Sequence, residues 1–182
     1  MRVGKKQVLG TLKADAFVKI YDSGELAASA TSVAISGLNG DTDEEYIIRC
    51  RLVSGAADSV FEMRLAGDTG NNYGHQFLYG NNTSPAAARD VKTFWYLGGS
   101  DCDSGESAYS EVRLYAKTGF IRTALEITAS KIATTTITSI WRMGLSWNDT
   151  STNITSITVL ADQANGLGVG SRIEVYAKRS ST

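Results

Sequence analysis

The sequence predicts an all-β domain: an antiparallel β-sandwich, jelly-roll-like, of about ten to twelve short strands. Three observations carry that prediction. Apolar and polar residues alternate with a period of two in segment after segment. Clusters of Gly, Asn, Asp and Ser separate these segments at short spacing. No helical period of about ten residues lies between them. Composition agrees: 19 Ser, 18 Thr and 18 Gly in 182 residues suit strands and turns better than helices.

The elements follow in order. Ala16 to Tyr21, Glu25 to Ala30 and Thr31 to Ile35 read as one to three strands. Glu45 to Gly55 sets Ile48, Cys50 and Leu52 against Arg49 and Arg51. Ser59 to Ala66 sets Phe61, Met63 and Leu65 against Glu62 and Arg64. Tyr73, His75, Phe77 and Tyr79 share one side of the next segment. Ser84 to Asp90 (SPAAARD) is the one helix-compatible stretch, with Pro85 suited to a first turn; one turn of helix or a loop is expected. Val91 to Leu97 reads as an aromatic strand buried on both faces. Tyr109 to Lys117 turns Val112, Leu114 and Ala116 inward. Ile121 to Ile127 alternates with Arg122 and Glu126 on its polar side. Thr134 to Met143, Asn153 to Ala161 and Ser171 to Lys178 complete the set. No Pro/Ser linker divides the chain, so residues 16–182 are read as one domain behind a basic arm, residues 1–15.

Charge and composition exclude several functions. A net charge of −1 argues against a general nucleic-acid binder. No apolar run reaches the roughly 18 residues that span a bilayer, so no membrane partner is expected. The arm, MRVGKKQVLGTLKAD, lacks the apolar core of a signal peptide, which predicts synthesis in a cytoplasm with Cys50 and Cys102 reduced. Its first thirteen residues hold Arg2, Lys5, Lys6 and Lys13 and no acid, leaving 14 Lys+Arg against 19 Asp+Glu in the rest of the chain. The arm reads either as a solvated terminus or as a docking element for a partner surface.

Chemistry-bearing residues are sparse. His75 is the single histidine and sits mid-strand among aromatics, which favours packing over catalysis. No triad and no carboxylate pair stands out, so no catalytic residue, metal or cofactor is assigned. The acidic turns at Asp41, Asp43 and Glu44 and at Asp101 and Asp103 lack the spaced ligands of an EF-hand loop and read as solvated. The N-x-S/T triplets at Asn81, Asn82, Asn148 and Asn153 read as turn chemistry. Trp95, Tyr96, Trp141 and Trp147, with Tyr73 and Tyr79, form an aromatic group with two readings. They fill a core or a subunit interface, or they stack on sugar rings.

Four blocks carry a resemblance: Thr31 to Tyr46, Gly70 to Gly80, Ser146 to Ser156 and Gly166 to Tyr176. They resemble small virion structural proteins of tailed bacteriophages over roughly residues 25–178. The resemblance implies a jelly-roll-like sandwich serving as a capsid decoration, head spike or tail component, with no active site to transfer. It implies a virion location and, as partners, the major capsid protein or other virion proteins. A homotrimer is expected, since closed rings suit capsid axes, with the aromatic group or the Thr134 to Thr138 strand at its interface. The alternative is a carbohydrate-binding module of a tail or head fibre, with a host-surface glycan as ligand.

Overall fold

The computed structural model describes residues 16–98, 102–132 and 136–179. The basic arm with Arg2, Lys5, Lys6 and Lys13 lies outside the described residues. The strands are β1 (Ala16–Asp22), β2 (Ser32–Ser36), β3 (Glu45–Val53), β4 (Phe61–Leu65), β5 (Tyr73–Asn81) and β6 (Ser84–Lys92). They continue with β7 (Trp95–Tyr96), β8 (Ser107–Tyr115), β9 (Arg122–Ile132), β10 (Ser139–Trp147), β11 (Ser156–Ala161) and β12 (Arg172–Arg179). One helical turn, α1 (Gly40–Asp43), precedes β3.

All strand pairs are antiparallel, and they form two sheets. The smaller runs β2-β11-β4-β7; the larger runs β1-β12-β3-β8-β9-β10-β5-β6. Within them, β1-β12-β3-β8 opposite β2-β11-β4-β7 is the strand order of a jelly roll. Two hairpins interrupt it. The β5–β6 hairpin lies between β4 and β7 in sequence, and β9–β10 lies between β8 and β11. Both add to the same sheet beyond β8, extending it by a four-stranded wing.

The sheets share one apolar core. Trp95, Trp147, Tyr73, Tyr46 and Phe61 are fully buried there, and each such side chain contributes roughly 1.5–3 kcal/mol. Their polar tips are satisfied. Trp95 Nε1 donates to the Ser146 carbonyl at 3.0 Å and Trp147 Nε1 to Asp68 Oδ2 at 2.6 Å. Tyr46 donates its hydroxyl proton to Asp43 Oδ2 at 2.8 Å, tying α1 to β3.

Several elements depart from the expectations. Ser84 to Asp90 is not helical; it is most of β6. The β5–β6 loop has Asn82 at φ +54°, and the ladder from Asn81↔Ser84 to Tyr73↔Lys92 outweighs the helix propensity of three alanines. Glu25 to Ala30 forms no strand, only a bridge from Ala30 to Leu167. Val91 to Leu97 is split, because the chain leaves β6 at Lys92 and enters the other sheet at Trp95. Glu62 is buried beside Tyr96 instead of facing solvent. The largest departure is β9. Its polar side, Arg122, Glu126 and Thr128, faces the interior; Ile121, Leu125 and Ile127 face out.

Gly98 fixes the distance between β7 and the wing. Its φ is +78°, and a Cβ there would overlap the Thr128 side chain on β9. Gly98→Ala is therefore expected to destabilise the fold by about 2 kcal/mol or more, read from the midpoint of urea unfolding. An unchanged midpoint would contradict this packing.

Candidate functional site

The outer face of the larger sheet has two unlike halves. On β1, β12, β3 and β8 it is a ladder of ions. Lys19 and Arg172 each contact Asp22 at 2.6 Å, and Glu174 at 3.1 and 3.3 Å. Arg51 meets Glu25 at 2.7 Å, Arg49 meets Glu111 at 2.8 Å and Arg113 meets Glu45 at 3.6 Å. Hydrogen bonds from Arg172 and Lys19 hold the Asp22 carboxyl well below its ordinary range. Such exposed pairs contribute little each, because water solvates both partners.

The wing is different. Leu78, Val91, Leu125, Ile127 and Ile140 are 58–62% exposed and lie on four adjacent strands. Register places them together: Arg142 on β10 pairs with Ile127 on one side and Leu78 on the other. The glycines on this face leave gaps between them. Gly80 underlies a depression of ≈ 480 Å³ bounded by Leu78, Ile127, Ile140 and Arg142. Gly74 and Gly144 underlie a second of ≈ 430 Å³, bounded by Arg89, Val91 and Leu125. Among the described residues, neither Arg89 nor Arg142 has an ion-pair partner. The face is thus apolar ridges around glycine floors, with free guanidinium groups. An apolar patch of this kind marks an association surface.

Beneath this face lies the polar side of β9. The Arg122 guanidinium donates to the carbonyls of Asp149 and Thr152 and stacks over Trp147, 5.1 Å from its ring centre. Glu126 Oε1 accepts from Ser110 Oγ at 2.9 Å and from Thr128 Oγ1, while Oε2 is buried without a partner. Burial pushes this carboxyl up to about 8, against an ordinary 4.5. His75 is buried on β5, where Nε2 accepts the Tyr96 backbone N–H at 3.2 Å; burial lowers it to about 4. The imidazole is thus neutral at pH 7 and holds β5 to β7.

The sequence-predicted aromatic group does not form one surface. Trp95 and Trp147 are fully buried, which removes them from sugar stacking and from any subunit contact. Trp141 is half-buried on the inner side of the wing, where Tyr96, half-buried on β7 of the other sheet, meets His75 and Phe77. There Trp141 stacks on Tyr79, centres 4.5 Å apart and planes at 11°. Asp41 accepts from the Thr118 backbone and hydroxyl, so it braces a loop. Among the described residues no group of three His, Cys, Asp or Glu is placed to hold a metal ion, and no helix is long and apolar enough to cross a membrane.

Sequence reasoning missed Leu78, Leu125, Ile127, Ile140 and Arg142 because each sits in a strand that has a second credible inner face. One signal was present: Gly74 and Gly80 on β5 share a parity, so both mark the same face. Comparison with known proteins gives no match to any family model, curated protein or solved structure.

Glu126 generates a pH prediction. Its folded value lies above its unfolded one, so its contribution is full in acid and is lost as pH rises from about 4.5 through 8. Glu62, pushed up to about 7 by burial, acts in the same direction. Chemical unfolding should show stability falling above pH 5, by at most about 1.4 kcal/mol per pH unit per group. Glu126→Gln should flatten that slope and stabilise the protein at pH 8. An unchanged slope would place the Glu126 carboxyl in water.

Proposed function

We propose that this chain is a non-enzymatic structural protein of a tailed-bacteriophage virion, a capsid decoration or minor capsid protein that docks on the particle surface. The observation that carries the reading is the apolar, glycine-floored outer face of the wing. A sandwich whose added strands build an adhesive face, while its remaining strands carry a solvated ion ladder, is suited to assembly. The four sequence blocks that resemble phage virion proteins supply the biological setting. The basic arm, on a body with more acids than bases, supplies a second attachment element.

A carbohydrate-binding role on a tail or head fibre is the second reading, favoured by the half-buried Trp141–Tyr79 stack. Trp141→Ala would abolish glycan-array binding in that case and leave particle association untouched.

Particle occupancy tests the first reading. Purified particles should contain the chain in a fixed ratio to the major capsid protein. Deleting residues 1–13, or changing Ile127 to Glu, should lower that ratio by about tenfold or more. A chain absent from particles, or fully retained in both variants, would refute the assignment.

A further inference from the structure

We infer that the outer face of the larger sheet around β9, from β3 to β5, is the interface of a two-fold homodimer, in which β10 and β5 of the wing pack on β8 and β3 of a second copy. The inference rests on reading that face as a covered surface, and it names what covers it.

The argument is the order of side chains across three rows. On the outer face, β9 is flanked by β8 and β10. One row is Tyr109–Ala129–Ile140, the next Glu111–Ile127–Arg142, the third Arg113–Leu125–Gly144. Consider two such faces about 10 Å apart, related by a two-fold axis that runs along β9 between them. The rotation exchanges left and right. Each β8 residue then faces the β10 residue of its own row in the other copy. Glu111 faces Arg142, and symmetry makes that contact twice. Arg113 faces Gly144, a long side chain over a position that has none and that floors a depression. Tyr109 faces Ile140. Along the axis Leu125, Ile127 and Ala129 meet their own copies.

One strand further out the pattern persists. Arg51, in the row of Tyr109, falls over Gly80, the floor of the second depression. No row sets like charges against each other. Arg142, which has no ion-pair partner among the described residues, reaches the partner copy's Glu111, a carboxylate that also holds its own Arg49.

The size also fits. Four or five strands at about 4.8 Å spacing and about eight residues of strand length give roughly 600 Å² per copy, near the ~800 Å² of a standard interface. A three-fold ring would require a second, different patch complementary to this one. The self-matching rows favour the two-fold.

Sedimentation velocity of the full chain across a concentration series tests this. The expected species has twice the 19.5 kDa chain mass. Ile127→Glu sets carboxylates against each other on the axis and should give a monomer with an unchanged circular dichroism spectrum and a melting temperature that no longer rises with protein concentration. Glu111→Arg and Arg142→Glu should each weaken the dimer by about tenfold or more, and the double reversal should restore it. Restoration is specific to the proposed pairing. A wild-type monomer or trimer, or a double reversal that fails to restore the dimer, would overturn the two-fold. If that happens while Ile127→Glu still empties the particle, the face is covered by another virion protein. If Ile127→Glu changes neither mass nor occupancy, the covered-face reading falls too.

Discussion

The structure depends on the register of β9 between β8 and β10. A strand has only two faces, so register decides the fate of every side chain on it at once. Here the ladder turns Arg122, Ala124, Glu126 and Thr128 inward. The interior accommodates them with specific partners. Arg122 caps two carbonyls of the loop after β10 and lies over Trp147; Glu126 is held by Ser110 and Thr128. A one-residue slip would bury Leu125 and Ile127 instead, but would strand the 149–152 loop and expose the Trp147 face. The register shifts between the Ser107 and Tyr109 pairs, which marks a bulge at the start of the β8–β9 ladder.

This arrangement is expensive for an isolated chain. Glu126 loses hydration with one oxygen unpartnered, and Leu125 and Ile127 stand in water. Both costs arise from the same inverted strand. Covering the outer face recovers the aliphatic part, at about 25 cal/mol per Å² of apolar surface removed from water. The inner face of the wing serves the fold, through Trp147, Met143 and Phe77; its outer face serves association. Among the described residues, the outer face of β1, β12, β3 and β8 carries the ion ladder and no comparable aliphatic patch.

Much of the fold was legible in the sequence. Where one face is mostly apolar and the other mostly polar, as in β3 and β8, period-two alternation fixes both strand and orientation. Orientation failed in β9 because Arg122 and Glu126 carry the apparent solvent signal while their satisfying partners come from distant loops and strands. Type failed in β6, where Pro85 and three alanines read as a helix start and only pairing with β5 makes a strand. Of the aromatic residues, Trp95 and Trp147 follow the core reading, since they sit deep between the sheets. The association face was invisible for a simpler reason: it is assembled from four strands, none of which shows it alone.

Cysteine accessibility tests the inverted strand most directly. Cys50 and Cys102 are fully buried, and burial raises the Cys50 thiol far above its ordinary value, so the native thiols form a silent background. New cysteines at Ile127 and Thr128 would sample opposite faces of β9. The account predicts that Ile127→Cys reacts rapidly with a maleimide in dilute folded protein and becomes protected as concentration rises, while Thr128→Cys stays protected throughout. Rapid labelling at position 128 with protection of position 127 at every dilution would contradict it.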